Sequence, residues 1–215
     1  MMQLQTLYLV NGGDWGWVVG SVQFLVNNIR SKSMTGLIIF DKDQTLIDSA
    51  CGEKFIQSPT DQRILPGAAE AVSNFAKRGY KIAIASNQGG VEAGKKSFES
   101  AIEEMKFCLG LFPEISIGLI CPCYDGKSAW MVKLNDWEVY LRQKIGVGSG
   151  TTNFGNFRKP GPGMINFLIA YYKSVPGETW FIGDRPEDEQ AAEAAGTNFM
   201  AADILRLRFQ QSDNC

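Results

Sequence analysis

The sequence predicts an α/β fold in which a parallel central sheet is flanked by helices. Short apolar runs typical of buried strands alternate along the chain with segments of helical periodicity. Several of these runs end at a polar residue, as strands do when their carboxyl ends line a site. With 215 residues, 45% of them hydrophobic and 20% charged, the chain is long enough for one such domain with an appendage.

Five apolar runs predict the strands of the sheet. The first, residues 36–40, has the sequence Gly-Leu-Ile-Ile-Phe and ends at an acid, which is typical of a strand buried on both faces. The other predicted strands cover residues 81–85, 115–120, 180–183 and 198–201. Because helical segments separate them, these strands are expected to run parallel.

Segments with apolar residues at helical spacing predict the helices. Residues 68–77 follow Pro66 and precede Gly79, the residue types that favour helix starts and ends. Residues 92–109 carry one apolar face. The remaining predicted helices cover residues 134–144, 162–172 and 187–195.

The first 33 residues differ in composition from the rest of the chain. Residues 7–26 are rich in Trp, Val and Gly, but Asp14 and several glycines interrupt them, whereas a membrane-spanning helix needs about 20 apolar residues. No basic segment typical of a signal peptide precedes them. We therefore expect no stable membrane association, an N-terminal extension at residues 1–33, and one folded domain at residues 34–215.

The composition excludes several classes of site. The chain has no histidine, so a Ser-His-Asp or Cys-His hydrolase lacks its base, and a zinc site is limited to cysteines and carboxylates. The formal net charge of −2 provides no global basic field for nucleic acid. An odd count of five cysteines without a secretory signal favours a reducing compartment, and we expect a cytoplasmic location.

Two acids separated by one residue follow the first predicted strand, in the sequence FDKDQT at residues 40–45. Asp41 can attack phosphorus and form an aspartyl-phosphate, and Asp43 can protonate the leaving oxygen and later activate water. Two carboxylates this close repel unless a cation neutralises them, so the motif predicts Mg²⁺. Thr45 can cap the following turn and orient the loop, and we place it among the residues expected to bind phosphate or substrate. Alone, the motif also fits a strand–loop junction with solvated acids.

Polar residues that can bind a phosphate group occur at two further positions. Ser86 follows the second predicted strand, where its hydroxyl and the adjacent backbone N–H groups can hold a phosphate oxygen, and we group Asn87 with it. Lys159 can neutralise both the phosphate and the nucleophile, and Arg158 can bind a further anionic group on the substrate.

Two acids follow the fourth predicted strand. Asp184 is predicted to be the third carboxylate on the metal side, whereas Asp188 can either hold a metal-bound water or cap the helix. Asp41, Ser86 and Asp184 all come directly after predicted strands. Because the carboxyl ends of parallel strands meet at one edge of the sheet, we expect these three residues to converge.

In order and spacing, these elements resemble the four motifs of the haloacid dehalogenase (HAD) superfamily over residues 36–203. The resemblance implies a Rossmann-like HAD fold and a magnesium-dependent phosphatase. In that family the backbone carbonyl of the second aspartate also binds the metal. The roles it implies are nucleophile for Asp41, acid/base for Asp43, phosphate-binding hydroxyl for Ser86, motif lysine for Lys159 and magnesium aspartate for Asp184.

The spacing of the motifs predicts that no large cap domain is present. Only about 20 residues separate Asp43 from Pro66, too few for a helical cap. Ser-Asn-Gln after the second strand and Arg-Lys-Pro-Gly-Pro-Gly-Met at residues 158–164 resemble the capless subclass III. That branch includes histidinol phosphatase, heptose bisphosphate phosphatase and the polynucleotide 3′-phosphatases.

One segment of the sequence resembles the heptose and histidinol enzymes, and another resembles the polynucleotide 3′-phosphatases. Cys121-Pro122-Cys123 resembles the zinc loop of the heptose and histidinol enzymes, but its second cysteine pair would fall at Gly155 and Phe157, so we expect no zinc. Residues 55–64 resemble the segment after the first motif in polynucleotide 3′-phosphatases.

The resemblance implies a phosphomonoester hydrolase for a small phosphorylated metabolite, of the sugar phosphate or histidinol phosphate type. One alternative is a polynucleotide 3′-phosphatase, whose partner is a nucleic-acid 3′ end. Another is a non-catalytic HAD-fold binding protein. Gln44 departs from the family, which usually has glycine there; glutamine adopts the conformation that glycine permits less easily, and the effect on activity stays open.

Overall fold

The computed structural model describes residues 36–134 and 154–210. The strands are β1 Leu37–Phe40, β2 Ile47–Asp48, β3 Arg63–Ile64, β4 Lys81–Asn87, β5 Ile117–Cys121, β6 Trp130–Val132, β7 Thr179–Gly183 and β8 Asn198–Ala201. The helices are α1 Ala68–Lys77, α2 Phe98–Leu111, α3 Gly163–Tyr172, α4 Pro186–Ala194 and α5 Ala202–Gln210.

Six of the strands form one central sheet in the order β6-β5-β4-β1-β7-β8. Five of them, β5, β4, β1, β7 and β8, are parallel to one another. Phe40 of β1 is level with Ile84 on one side and with Ile182 on the other. The predicted α/β fold is therefore confirmed, with one correction. Strand β6 runs antiparallel to β5, because only a short loop joins the two and no helix crosses between them.

Helices cover both faces of the sheet, so side chains that alternate along a strand enter two separate cores. Ile38 and Phe40 pack on the side of α1, α2 and α5. Leu37 and Ile39 pack on the side of α3 and α4. This burial on both faces explains why the strands are continuous apolar runs in the sequence.

Most element boundaries match the predictions, and the largest difference is at α2. The helix predicted at residues 92–109 begins only at Phe98, where the Ser97 hydroxyl accepts a hydrogen bond from the backbone of Ser100. Residues before it form turns that include Gly94 at φ +66°. The predicted helix at 134–144 lies outside the described residues after Leu134.

A two-stranded antiparallel sheet of β2 and β3, together with loops, occupies the segment between β1 and α1. No helix within the described residues is long and apolar enough to cross a membrane. The predicted extension at residues 1–33 lies outside the described residues. The division of the chain at residue 34 stays a prediction.

Candidate active site

The loops that follow β1 and β7 meet at the carboxyl edge of the sheet. Asp41 continues the ladder there, with its backbone N–H donating to the Ile182 carbonyl at 2.8 Å. Its side chain is only 10% exposed. Gly183 ends β7 and brings the backbone close to Asp188, since any side chain at Gly183 would collide with the Asp188 carboxylate.

Three carboxylates form an acidic cluster in these loops. Asp41 and Asp188 are buried and Asp184 is exposed, and one carboxylate oxygen from each lies within 4.8 Å of the others. Within the described residues this is the only group of three or more acids or cysteines close enough to share a metal. The Thr45 hydroxyl donates to Asp184 at 3.4 Å, which links the loop after β1 to the cluster.

Lys159 lies between two members of this cluster. Its Nζ is 2.5 Å from Oδ1 of Asp41 and 2.7 Å from Oδ1 of Asp188. The Asn87 side chain fixes the Lys159 backbone, accepting from its N–H at 3.0 Å and donating to its carbonyl at 2.9 Å. The prediction that Asn87 binds phosphate stays a prediction, and the structure adds its contact with the backbone of Lys159.

Asp188 has two contacts that bear on its two predicted roles. Its Oδ2 accepts from the backbone N–H of Arg185 at 3.1 Å, which caps α4. Its Oδ1 faces Lys159 and the acidic cluster. The capping role is therefore present in the structure, and the other oxygen stays available to the site.

The cluster carries more negative charge than Lys159 can neutralise. Burial raises the pKa of Asp41 to about 7; the Asp188 and Asp43 carboxylates add to this, and Lys159 opposes it. Partial burial and Asp188 also raise the pKa of Asp184. Burial alone would lower the pKa of Lys159, but its two carboxylate neighbours outweigh burial and raise it. An excess of oxygen ligands with raised proton affinity fits a hard divalent cation such as Mg²⁺.

Asp43 lies outside the acidic cluster and has its own partners. Its Oδ1 is 2.7 Å from Nζ of the fully buried Lys42, and its Oδ2 accepts from Nε2 of Gln88 at 3.1 Å. The same Gln88 nitrogen donates to the Ser86 hydroxyl at 3.0 Å. Burial alone would raise the pKa of Asp43, but Lys42 and the other donors outweigh it and lower that pKa.

Four of the residues around Asp43 were absent from the predicted site. Lys42 and Lys96 both contact Glu104 of α2, and Gln88 links Lys96 to Asp43. The sequence carried one signal for them. Glu104 lies on the otherwise apolar face of α2, and a charged residue at such a position needs a buried partner.

A cleft of about 510 Å³ opens beside Asp43. Arg158 lines it with its guanidinium 4.9 Å from the Tyr124 ring, and its Nη1 is buried with no hydrogen-bond partner among the described residues. On another wall, Lys54 and Lys95 lie over the Phe55 ring, which is 59% exposed. Cationic and aromatic side chains therefore line a cleft beside Asp43, at the carboxyl edge of the sheet.

Gln44 adopts the left-handed backbone conformation expected for a glycine, with φ +61°. Helix α5 supports this turn, because Nη1 of Arg206 donates to the carbonyls of Gln44 and Thr45 at 2.8 and 3.0 Å. Gln44 therefore adopts the backbone conformation that the family usually reaches with glycine at this position.

The Cys121 and Cys123 sulfurs lie 4.0 Å apart, next to Ser128. Burial raises the pKa of the Cys121 thiol to about 12. Gly155 lies where the resemblance would place a further cysteine. The absence of zinc stays a prediction.

Comparisons with known proteins also indicate a phosphatase, the class of enzyme that the sequence motifs predict. A family model described as polynucleotide kinase 3 phosphatase matches residues 36–212. The D-glycero-β-D-manno-heptose-1,7-bisphosphate 7-phosphatase of Neisseria meningitidis serogroup A is 27% identical over 166 residues, covering 74% of this chain and 73% of the relative. The enzyme of the same name from Pseudomonas putida is 26% identical over 164 residues, covering 74% and 78%.

A solved structure supports the fold. The D,D-heptose 1,7-bisphosphate phosphatase of B. bronchiseptica, complexed with magnesium and phosphate, has a TM-score of 0.55 and 22% identity, covering 77% of this chain and 79% of that one.

The relatives are phosphatases, so the alternative of a non-catalytic binding protein is set aside and the chain is a phosphatase. Across residues 36–134 and 154–210 the sheet is mostly parallel and no large cap is present, which is the arrangement of a capless HAD-family phosphatase. Because the family model spans most of the chain, the chain belongs to the polynucleotide kinase 3 phosphatase family.

Proposed function

We propose that this phosphatase hydrolyses a phosphomonoester of a small metabolite in a magnesium-dependent reaction that passes through an aspartyl-phosphate on Asp41. The supporting observation is the position of Asp41. It is buried at the strand edge, Lys159 contacts one of its oxygens, and Asp184 and Asp188 lie beside it. A carboxylate is a weak nucleophile, and such an arrangement orients it toward a bound phosphate.

In the first half of the reaction, a carboxylate oxygen of Asp41 forms a bond to phosphorus while the bond from phosphorus to the leaving oxygen breaks. Asp43 gives that oxygen a proton, so the substrate departs as an alcohol. Lys159, with the Ser86 hydroxyl, provides positive charge and a donor for the phosphoryl oxygens.

In the second half, water attacks the phosphorus of the aspartyl-phosphate. Asp43 takes the proton from the water, the bond between phosphorus and Asp41 breaks, and inorganic phosphate leaves. The lowered pKa of Asp43 favours the ionised form that this half of the reaction requires, whereas in the first half the same carboxyl must carry a proton.

Asp41, Asp184 and Asp188 would hold the magnesium ion, together with the backbone carbonyl of Asp43 that the family resemblance implies. When bound, Mg²⁺ neutralises charge on the phosphoryl oxygens and on the carboxylates around them. The B. bronchiseptica enzyme of the same fold is complexed with magnesium and phosphate, which supports the choice of magnesium as the cation.

The substrate we propose is a sugar phosphate, of the kind that the named heptose bisphosphate phosphatases act on. The cleft of about 510 Å³ is within the size range of small-molecule sites. Arg158 supplies a cation with a free donor at the cleft wall, suited to a second anionic group on the substrate.

A second candidate substrate is a polynucleotide 3′ end. The family match favours it, and so does the cleft, where Lys54, Lys95 and the exposed Phe55 provide cations and a ring on which a base can stack.

The test is hydrolysis of a broad phosphomonoester panel, with Mg²⁺ present or removed by chelation, by the full chain and by Asp41→Asn. The panel includes a heptose bisphosphate, histidinol phosphate and a 3′-phosphorylated oligonucleotide. We expect magnesium-dependent turnover that Asp41→Asn abolishes, with kcat/KM highest for a sugar phosphate. Highest kcat/KM for the oligonucleotide would favour the second candidate, and no turnover on any substrate would contradict both.

A further inference from the structure

Glu104 of α2 is connected to both carboxylate oxygens of Asp43 through two separate routes. In the first, Glu104 Oε2 lies 3.7 Å from Nζ of Lys42, which is 2.7 Å from Oδ1 of Asp43. In the second, both Glu104 oxygens lie 2.6 Å from Nζ of Lys96, which donates to Oε1 of Gln88 at 3.4 Å, and Gln88 donates to Oδ2 of Asp43. We call these four partners, Lys42, Gln88, Lys96 and Glu104, the Asp43 network.

The network is buried although it contains full charges. The side chains of Lys42 and Glu104 are 1% and 2% exposed, and Lys96 is 20% exposed. Two lysines balance the buried Glu104 and the partly exposed Asp43, so the four charges cancel. Such buried pairs contribute little to stability compared with apolar side chains of similar size, which makes a functional reason for keeping them worth seeking.

The geometry of the network fits control of one side chain. With a partner on each oxygen, the Asp43 carboxylate cannot rotate about its terminal bond without losing a contact. Oδ1 is buried, whereas Oδ2 has a second acceptor position besides the one that Gln88 occupies, and this position can carry the proton. The carboxylate is therefore held in one orientation while it can still give and accept a proton.

We propose that Glu104 is a positioning residue that orients Asp43 for proton transfer by holding Lys42 and Lys96 in place. This inference rests on the proposed function, in which Asp43 protonates the leaving oxygen. Glu104 touches neither Asp43 nor the reacting atoms, and it acts through the two lysines.

The experiment compares kcat/KM for two substrates with different leaving groups. An alkyl phosphate needs a proton on its leaving oxygen, whereas p-nitrophenyl phosphate releases a stable anion without one. We expect Glu104→Gln to lower kcat/KM for the alkyl phosphate roughly tenfold or more, and for p-nitrophenyl phosphate less than about twofold. The ratio of kcat/KM for the alkyl phosphate to kcat/KM for p-nitrophenyl phosphate measures the effect. Asp43→Asn should lower this ratio further, by about a hundredfold.

The neighbouring residue provides a matched control. Glu103 is exposed on α2 and pairs with Lys106 at 2.7 Å. Glu103→Gln should leave the ratio of the two kcat/KM values unchanged. A loss of folded protein lowers both values equally, so it does not change the ratio.

A second variant covers the case in which Glu104→Gln fails to fold. Lys96 is partly exposed, and Lys96→Met removes the route through Gln88 together with the Lys96 contact of Glu104, while the contact of Lys42 with Asp43 remains. We expect Lys96→Met to lower the ratio of kcat/KM for the alkyl phosphate to kcat/KM for p-nitrophenyl phosphate roughly threefold. Lys96→Arg, which keeps the charge, should restore this ratio.

The outcomes separate the two claims. If Asp43→Asn shifts the ratio but Glu104→Gln, or Lys96→Met where the first does not fold, leaves it unchanged, the positioning role is overturned and the proposed function stands. If Asp43→Asn itself leaves the ratio unchanged, or the full chain has no magnesium-dependent turnover, both are overturned.

Discussion

Gln44 occupies a backbone conformation that costs a side-chain-bearing residue free energy. Its φ of +61° is in the left-handed region, where a residue other than glycine pays about 1–2 kcal/mol. We expect Gln44→Gly to raise the free energy of unfolding by about 0.5–1 kcal/mol, after the greater flexibility of glycine in the unfolded chain is subtracted. Urea denaturation measures this.

Gln190 offers a matched control for that prediction, because it lies exposed within α4. Gln190→Gly should lower stability by up to about 1 kcal/mol, since glycine is a poor helix former. If Gln44→Gly destabilises the protein to a similar extent, the left-handed conformation at Gln44 carries no strain and this interpretation is wrong.

Magnesium affinity should depend on the protonation of Asp41. The pKa of Asp41 is raised to about 7, so most of this carboxyl is protonated at pH 6 and ionised at pH 8. Magnesium binds the ionised form, so we expect its apparent Kd to fall about tenfold from pH 6 to pH 8. Asp184, whose pKa is also raised, acts in the same direction. Calorimetric titration of the metal-free protein at the two pH values measures the difference.

The same shift predicts how the metal-free protein responds to pH. Between the ordinary pKa near 4 and the raised value near 7, native Asp41 keeps a proton that the unfolded chain has released. The contribution of Asp41 to stability therefore falls as pH rises through this window.

Asp41→Asn should weaken the pH dependence of magnesium binding. A Kd for the unaltered chain that is equal at pH 6 and pH 8 would contradict the assignment.

At the scale of elements, Asn87 joins the end of β4 to the loop that carries Lys159. Asn87→Ala removes both hydrogen bonds to the Lys159 backbone. We expect a loss of about 2 kcal/mol in stability and at least about a tenfold loss in kcat, because small displacements of a positioned group are costly in catalysis. Thermal unfolding and steady-state kinetics measure the two effects.

Asn198 provides the control, because its side chain donates to the carbonyls of Gly177 and Thr179, away from the acidic cluster. Asn198→Ala should lower stability by about 1 kcal/mol without changing kcat per folded molecule. If Asn87→Ala behaves the same way, Asn87 has no role in positioning Lys159.

Element boundaries were predictable where the chain carries clear start and stop residues. Helix α1 matches its predicted range at both ends, since Pro66 and Gly79 flank it. Strand β6 was missed because three residues are too few to show a period, and α5 was missed because it follows β8 without a break. The late start of α2 depends on the cap at Ser97, which periodicity alone does not indicate.

The candidate site was predictable to the extent that its residues follow strands. Asp41 and Asp184 lie together because they directly follow the neighbouring parallel strands β1 and β7, and Asp188 lies in the first turn of the helix that comes next. Lys159 follows no strand but precedes α3, so its place beside Asp41 and Asp188 does not follow from the strand order. The contact of Lys42 with Glu104 could not be derived this way, since it depends on how α2 packs over the loop after β1.

For the whole molecule, the layered fold explains why one short motif can become a site. Helices on both faces bury the sheet and leave its carboxyl edge as the place where polar groups meet. In the part of the chain that the structure describes, the small sheet of β2 and β3 takes the place of a large cap, and loop side chains such as Phe55 and Arg158 line the cleft. Loop residues, more than the fold, should therefore decide which phosphate ester binds.

The central claim is that Asp41 carries the phosphoryl group during turnover, and chemical trapping tests it most directly. The full chain is mixed with Mg²⁺ and substrate, quenched in acid during turnover and treated with borohydride, which reduces an aspartyl-phosphate to homoserine. Peptide mass mapping then locates the change. We predict homoserine at position 41, dependent on substrate and absent from Asp41→Asn. Active turnover with an unmodified Asp41, or with reduction at another acid, would contradict the claim.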